Sequence, residues 1–390
     1  ADLGRHPQTL DALVEQDFWQ ALPGLTALST DLTERLNRVG DYEEVLDEAR
    51  RWAREQWFRA GVHVLRGLAD HQEAGGAFTR IAESFLKELL PHVTANFATR
   101  HGPPPGDGMA VIAMGKLGSR EMTAGSDLDL ITVYDAADQM SDGPRPLPAR
   151  AYYPRLTQAL IAALTAPTAE GALYEVDMRL RPSGRSGPVS VSLTAFQRYQ
   201  REEAWVWEHM ALLRGRVVAG AEGARAAVET AMRSALDGRK GQERIWKEAR
   251  EMHGRLTDAN AADRTNPWAL KHTAGGLMEI EFLALAFGLF HGVPAGASIC
   301  DTLNLLGQQG AFTESDTKVL SEALVLQQTL QQIERIAVEG GLDPATMGGE
   351  LAKVCARGLD LATAEGIPGH LKSAQAKAAQ IFTHQLLAIT

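Results

Sequence analysis

The 390-residue chain is 45% hydrophobic and 23% charged, as in ordinary globular proteins, and it is long enough for two or three packed units. Its net charge of −10 argues against a nucleic-acid partner, because strand or duplex binding needs a basic face. Two cysteines are too few for a disulfide framework, and no apolar run approaches the roughly 20 residues of a membrane span, so we expect a cytoplasmic protein without a membrane partner.

Residues 1–100 have the pattern of a helical region. Asp41 followed by Glu44 predicts a capping box at the start of one helix. A stripe of apolar residues at helical spacing predicts another; it consists of Phe78, Ile81, Ala82, Phe85, Leu86 and Leu89. The run of proline and glycine at 101–108 cannot continue a helix, so a domain boundary is expected there.

The apolar run Met109–Met114 predicts a strand that ends at Gly115, where the segment Gly-Lys-Leu-Gly-Ser begins. Glycines let the backbone turn sharply and approach a bound group, so Gly118 and Ser119 are candidates to hold phosphate oxygens. Lys116 is a further candidate, although the segment lacks the glycine spacing of a P-loop. The alternative is an ordinary turn.

Asp127 and Asp129 open a second predicted strand, Leu128 to Tyr134. Because side chains alternate along a strand, both carboxylates point to one face. Two adjacent carboxylates repel each other, and a divalent cation between them relieves the repulsion. The pattern therefore predicts a Mg²⁺ site, with a turn and edge feature as the alternative.

A third predicted strand, Tyr174 to Arg181, alternates between apolar and charged residues. Asp177 on its charged face is a candidate third carboxylate, which could also accept the proton of an incoming hydroxyl. Arg179 and Arg181 are candidate triphosphate ligands, with ion pairing to neighbouring carboxylates as the alternative, and Arg185 is a weaker candidate. Three carboxylates suit a site with two metal ions and a nucleoside triphosphate.

The remaining residues predict mostly helices. One helix from Leu193 is expected to carry Phe196, Tyr199, Trp205 and Trp207, and the charged segment 240–256 is expected to form a solvated helix face. Trp207, Glu208 and His209 could line a nucleotide pocket, although such residues are more often part of a core. Glu279 and Glu281 begin a helix from Leu277 to Phe290, where the helix dipole alone would favour them, and the alternative is an active-site role.

The expected fold is mostly α with a small α+β core, in which N- and C-terminal helical bundles flank a mixed sheet. The expected domains are an N-terminal helical region at 1–100, a catalytic core at 108–220 and a C-terminal helical bundle at 221–390.

Four motifs in order resemble the glutamine synthetase adenylyltransferase family, within the polymerase beta-like nucleotidyltransferase superfamily. They are Gly115-Lys116-Leu117-Gly118 with Ser126-Asp127-Leu128-Asp129-Leu130, Tyr174 to Gly184, Ala204-Trp205-Val206-Trp207-Glu208-His209, and Ala274 to Phe282. Ser119 departs from the resemblance, since the family usually has a second glycine there.

The resemblance implies transfer of AMP from ATP to a tyrosine hydroxyl of glutamine synthetase, with two Mg²⁺ ions bound by Asp127, Asp129 and Asp177. It also implies regulation by the PII signalling protein and by glutamine. The family carries two similar halves in one longer polypeptide, and the motifs resemble the C-terminal, attaching half, so we expect the chain to be part of a longer enzyme.

Three alternatives remain. The first is the half that removes AMP with phosphate, and the second is a catalytically inactive regulatory binding module. A polynucleotide-directed transferase is a third, disfavoured by the acidic net charge.

Overall fold

The structure, a computed structural model, describes residues 13–14, 16–239, 241–338, 340–342 and 347–387. These residues form two compact units. The first contains the described residues up to His63, Gly76–Ala204 and Gly215–Ala235, and the second contains Val64–Gly75, Trp205–Arg214 and the described residues from Leu236 onward. The division into domains at 1–100, 108–220 and 221–390 stays a prediction.

Long helices form the N-terminal region. They are α1 (Leu25–Leu36), α2 (Tyr42–Arg66) and α3 (His71–His101). Asp41 Oδ1 accepts the Glu44 N–H at 2.8 Å, so Asp41 caps α2 as predicted, but Glu44 Oε2 accepts the Gly40 N–H at 3.0 Å instead of the Asp41 N–H of a complete capping box. The predicted apolar stripe of α3 is buried along its length. This helix continues through Pro91 instead of being interrupted there.

A mixed sheet lies in the first unit. Its strands are β1 (Gly108–Ala113), β2 (Leu128–Asp135), β3 (Val176–Asp177), β4 (Ser190–Ser192) and β5 (Arg216–Gly220). Strand β1 is antiparallel to β2 and β5, whereas β3 and β4 both pair with β2 in parallel. Every residue of β1 is buried, which explains its continuous apolar run. The predicted fold class is confirmed.

Short and medium helices connect these strands. They are α4 (Gly115–Gly118), α5 (Ala149–Thr165) and α6 (Leu193–Glu202). The hydroxyls of Tyr152 and Tyr153 on α5 donate to the carbonyls of Gly102 and Pro105. The proline-rich segment between α3 and β1 is therefore held by two buried tyrosines.

All regular structure in the described part of the second unit is helical. Its helices, with α8 beginning in the first unit, are α7 (Val206–Leu213), α8 (Glu222–Asp237), α9 (Arg244–Ala259), α10 (Leu277–His291), α11 (Ile299–Gln308), α12 (Glu314–Ala337), α13 (Gly349–Gly358) and α14 (Ile367–Phe382). Helix α10 is apolar on all sides and buried from Leu277 to Leu289, except at Glu281. Among the described residues, no helix has both the length and the apolar character needed to cross a bilayer.

The third strand is much shorter than its alternating pattern predicted, since only Val176 and Asp177 pair with β2. The Arg179 N–H, which a longer strand would use for pairing, instead donates to Asp177 Oδ1 at 2.8 Å. Such a side-chain to backbone bond competes with sheet formation. Burial alternates only in part: Tyr174 and Met178 are buried and Arg179 is exposed, whereas Val176 and Asp177 are both of intermediate exposure.

The helix from Leu193 is shorter than predicted. It ends at Glu202, because the Tyr199 carbonyl accepts the N–H groups of both Glu203 and Ala204 at 2.9 Å, and Trp205 is then the N-cap residue of a separate helix. Within the charged segment, of which residue 240 lies outside the described residues, α9 has the expected solvated face and buries the opposite face, which includes Trp246 and His253.

Candidate active site at the edge of the sheet

Three carboxylates from distant parts of the chain meet at one edge of the sheet. Asp129 on β2 is directly opposite Asp177 on β3, and Asp127 immediately precedes β2. One carboxylate oxygen of each residue lies within 4.8 Å of those of the other two. Asp127 is exposed, whereas Asp129 and Asp177 are partly buried. The parallel pairing of β2 with β3 therefore produces an acidic cluster open to solvent on one side.

Gly115 provides the space that the Asp129 carboxylate occupies. Its φ of +53° lies in the left-handed region that favours glycine. A Cβ atom at this position would be 2.3 Å from Asp129 Oδ2, so a side chain there would collide with the carboxylate. The neighbouring Met114 N–H donates to the Asp129 carbonyl at 2.8 Å, so the bend and the carboxylate are fixed to each other.

The glycine segment after β1 forms one turn of helix, α4. The N–H of Gly118 donates to the Met114 carbonyl at 3.0 Å, and the N–H of Ser119 donates to the Gly115 carbonyl at 3.1 Å. The Ser119 hydroxyl is buried and also bonds to the Gly115 carbonyl, at 3.2 Å. Lys116 lies on the same turn and is partly exposed. The N–H groups of Gly118 and Ser119 and the Ser119 hydroxyl were expected to bind phosphate oxygens. In this conformation they bond to carbonyls of the turn instead.

A partly buried ion pair bonds to the C-terminal end of this turn. Arg216 on β5 forms two bonds to the Glu83 carboxylate on α3, at 3.1 and 2.8 Å. Its Nε also donates to the Gly118 carbonyl at 3.0 Å, and Nη2 approaches the Leu117 carbonyl at 3.4 Å. Paired arginine and carboxylate groups of this kind are geometrically specific. The Glu83–Arg216 pair therefore holds the last carbonyls of α4.

The predicted arginines have different surroundings. Arg179 Nε and Nη2 contact Asp177 Oδ2 at 2.6 and 2.5 Å, and its side chain is 65% exposed. Arg181 Nη1 donates to the Met178 carbonyl at 2.7 Å, and two of its nitrogens lie 3.4 Å from the Gly187 carbonyl. Arg185 is exposed. Arg179 thus faces the carboxylates, whereas Arg181 closes its own loop.

Burial and neighbouring charges have opposite effects on the pKa of Asp177. Partial burial of this carboxyl opposes its ionisation, but hydrogen bonds from the Arg179 side chain and backbone, with the charges of Arg179 and Arg185, hold its pKa below the ordinary value. The pKa of Arg179 is raised by its hydrogen bond to Asp177 and by the charges of Asp177, Asp129 and Asp127. Asp177 is therefore ionised at neutral pH, and its negative charge attracts cations.

The donor set fits a divalent cation such as Mg²⁺. Carboxylate oxygens are its preferred protein ligands, and two oxygens bound to one Mg²⁺ at about 2.1 Å are at most about 4.2 Å apart. The observed 4.8 Å limit is close enough for small side-chain rotations to complete such a site. Without a cation, each carboxylate pair repels by about 1 to 3 kcal/mol, for effective dielectrics between about 80 and 20.

The residues of the tryptophan motif belong to the second unit, where they have local structural contacts. Glu208 Oε2 accepts the Trp205 N–H at 2.9 Å and caps α7, while His209 is buried with Nδ1 3.0 Å from the Trp205 carbonyl. Trp207 is partly exposed and Trp205 largely exposed. For Glu208 and His209, these contacts agree with the structural interpretation.

Glu279 belongs to a buried polar network in the second unit. Its Oε1 contacts Arg264 Nη1 at 2.6 Å and His253 Nε2 at 3.1 Å, and its Oε2 accepts the Gly275 N–H at 2.7 Å. Burial opposes ionisation of this carboxyl, but its hydrogen bonds and the Arg264 charge lower its pKa. Glu281 pairs with Arg214 at 3.0 Å. Glu279 therefore has a structural role beyond the helix-dipole interaction.

The sequence interpretation did not identify the Glu83–Arg216 pair. Its members are 133 residues apart, and neither lies in a motif that suggested chemistry. Glu83 is one of several polar residues between the apolar positions of α3, so nothing in the sequence distinguished it.

The family model for glutamate-ammonia ligase adenylyltransferase matches residues 1–231. Among curated proteins, the chain is similar to bifunctional glutamine synthetase adenylyltransferase/adenylyl-removing enzymes. The Rhodopseudomonas palustris (strain ATCC BAA-98 / CGA009) relative is 39% identical over 387 residues, which is 98% of this chain and 39% of the relative. Relatives from Xanthobacter autotrophicus (strain ATCC BAA-1158 / Py2) and Bradyrhizobium sp. (strain ORS 278) are 40% and 38% identical, over 97% and 98% of this chain and 39% of each relative. The chain thus spans about two fifths of the length of these relatives.

Proposed function

The chain belongs to the glutamate-ammonia ligase adenylyltransferase family, and from this premise we propose that it transfers AMP from ATP to a tyrosine hydroxyl of glutamine synthetase. The tyrosine oxygen forms a bond to the α-phosphorus and its proton passes to a base, for which Asp177 is the candidate; the bond from that phosphorus to the bridging oxygen of the β-phosphate breaks, and pyrophosphate leaves. The observation that carries the proposal is the convergence of Asp127, Asp129 and Asp177 beside the Gly115 bend.

The carboxylates would hold Mg²⁺, and two ions are proposed because three carboxylates are available as ligands. When bound, the metal would neutralise phosphate charge and stabilise the attacking and leaving oxygens. The chain's own contribution is positioning: the β2–β3 pairing sets the carboxylates opposite each other, and the Glu83–Arg216 pair holds the turn that faces them. Positioning of reactants accounts for much of the acceleration of phosphoryl-group transfer.

Arg179 is proposed to bind the triphosphate. In the structure it covers one oxygen of Asp177, and its largely exposed side chain can rotate towards solvent. A triphosphate would attract the guanidinium and leave that oxygen for a cation. Lys116 and Arg181 are proposed as further nucleotide contacts. Gly118 and Ser119 could contact phosphate only by exchanging their bonds within the turn for phosphate oxygens.

The attaching reaction is preferred over AMP removal because of sequence motifs. Arg181-Pro182-Ser183-Gly184 and the segment from Glu203 to His209 resemble the attaching half. Removal would use phosphate to release ADP from the modified tyrosine at a related site. ATP and Mg²⁺ are thus the proposed substrate and cofactor, PII and glutamine the proposed regulators, and the cytoplasm the proposed location.

One experiment separates the two directions. The purified chain is given unmodified glutamine synthetase with ATP labelled on the α-phosphate or, separately, AMP-modified synthetase with inorganic phosphate. Label on a synthetase tyrosine is the expected result, and phosphate-dependent release of ADP without labelling would reverse the assignment. The Asp129→Asn variant is the control for each arm.

Two cheaper measurements test the other classes. A catalytically inactive regulatory module should show no Mg²⁺-dependent binding of ATP, whereas the proposed enzyme should show it. A polynucleotide-directed transferase should bind RNA or DNA in a salt-sensitive way, which we do not expect of a chain with a net charge of −10.

A further inference from the structure

Strand β3 is too short to position Asp177 by itself. Only Val176 and Asp177 pair with β2, and the Leu128 N–H donates to the Glu175 carbonyl at 2.9 Å next to them. A slip of one residue would move the chain by about 3.3 Å and turn Asp177 to the opposite face. Metal ligands have to be placed within about 0.2 Å. The register of Asp177 must therefore be set by contacts outside the ladder.

Arg50 on α2 provides the first of these contacts. Its side chain is buried, and it donates to the carbonyls of Ala163 and Ala166 at 2.9 and 2.7 Å, at the end of α5. Its Nε donates to the Gly171 carbonyl at 2.7 Å. A cation at the C-terminal end of a helix is favoured by the helix dipole. Arg50 thus fixes the end of α5 to the turn that leads towards Asp177.

The same face of α2 makes further contacts closer to Asp177. Arg54 donates to the Glu170 carbonyl at 2.8 Å and contacts its carboxylate at 3.1 Å. Trp57 Nε1 donates to the Tyr174 hydroxyl at 3.1 Å, and the two rings meet edge to face at 5.2 Å. Burial raises the pKa of Tyr174, so its hydroxyl remains protonated. Tyr174 is three residues before Asp177.

These three side chains lie at positions i, i+4 and i+7 of one helix and therefore share a face. We propose that Arg50, Arg54 and Trp57, here called the α2 strut, set the register of Asp177 against Asp129. They are positioning residues that act through residues 163–174. The inference rests on the proposed function, because it matters only if Asp177 binds a divalent cation.

The test removes one hydrogen bond of the strut while keeping an aromatic ring. Trp57→Phe and Tyr174→Phe each abolish the bond from the indole to the hydroxyl. We expect each to raise the Mg²⁺ concentration for half-maximal binding of a fluorescent ATP analogue by about tenfold, as for other groups that orient metal ligands. Saturating Mg²⁺ should restore binding. The double variant should match either single variant, because both remove the same bond.

Trp52→Phe is the matched control. Trp52 is a buried residue of the same helix, and its Nε1 donates to Asp31 Oδ2 on α1 at 2.6 Å, so this hydrogen bond involves none of residues 163–174. Its variant loses an equivalent hydrogen bond and should lower thermal stability without changing the Mg²⁺ dependence. Equal changes in Trp52→Phe and Trp57→Phe would overturn the proposal, since general loosening of α2 would then explain both.

Direct measurement of metal binding distinguishes a failure of the proposed function from a failure of the α2 strut proposal. Mn²⁺ binding to the chain is followed by electron paramagnetic resonance. If Asp177→Asn leaves Mn²⁺ affinity unchanged, the assignment of Asp177 as a ligand fails. If Asp177→Asn weakens Mn²⁺ binding but Trp57→Phe and Arg50→Lys do not, the strut proposal fails while the function stands. Weakening in all three supports both.

Discussion

The Gly115→Ala variant tests whether turnover depends on the geometry of the acidic cluster rather than on the stability of the fold. The added Cβ would lie 2.3 Å from Asp129 Oδ2, about 1 Å closer than an ordinary contact. Because that oxygen ends a side chain that can rotate, the carboxylate gives way more readily than the backbone. The carboxylate then leaves its place between Asp127 and Asp177.

The substitution should lower the folding stability slightly and the turnover strongly. Alanine in the left-handed region at φ +53° costs about 1–2 kcal/mol of folding free energy. For a unit of this size that lowers the melting temperature by about 2–8 °C. Displacement of a reacting group or ligand by about 1 Å can lower turnover by about 100-fold. We therefore expect AMP transfer to fall about 100-fold in a protein that still folds.

The assay combines label transfer from ATP to glutamine synthetase, Mg²⁺-dependent nucleotide binding and thermal melting. Gly125→Ala is the matched control, because Gly125 has a φ of +69° in the same connection but no atom within 4 Å of the place that a Cβ would occupy. It should lose similar stability and keep its activity. Wild-type turnover in Gly115→Ala would refute the reasoning, and so would an equal loss of turnover in Gly125→Ala.

Three further predictions follow from the contacts of individual residues. Asp129→Asn should abolish label transfer while the melting temperature changes by no more than a few degrees, since the substitution removes a repelling charge; wild-type turnover would refute the metal assignment. Arg179→Gln should increase Mn²⁺ affinity in the absence of nucleotide, because Asp177 loses a competing cation, and should weaken ATP binding; calorimetry measures both, and unchanged Mn²⁺ affinity would show that the pair does not compete with the metal. The lowered pKa of Glu279 stabilises the fold fully above its ordinary value of 4.5, and this contribution is lost as the pH falls through the folded-state pKa. Urea unfolding of wild type and Glu279→Gln at pH 7 and below pH 4.5 should therefore show a large difference that shrinks with acid, and a difference independent of pH would count against an ionised Glu279.

The elements with strong local patterns could be predicted. A continuous apolar run predicted β1 within one residue at each end, because the strand is buried on both faces. Helical spacing predicted the buried face of α3, and Asp41 with Glu44 predicted the start of α2. In each case the residues that decide the structure are neighbours in the sequence.

The elements that depend on distant contacts could not be predicted to their full extent. The alternation from Tyr174 to Arg181 is only partly visible in burial, and the bond from the Arg179 N–H to Asp177 ends the strand, which no propensity encodes. The motif set predicted that Asp177 lies close to Asp129. It did not predict the residues that support this site, because Arg50 and Glu83 are 113 to 133 residues from most of the groups they contact.

The hydrogen bond from the Met114 N–H to the Asp129 carbonyl has a consequence for the residues between them. It joins the bend directly to the backbone of Asp129, so the separation of these two backbone segments does not depend on how many residues lie in the connection. Gly125 in that connection is exposed, with open space around it. A short peptide tag grafted beside Gly125 would accordingly place an optical reporter a few residues from the acidic cluster without altering its spacing.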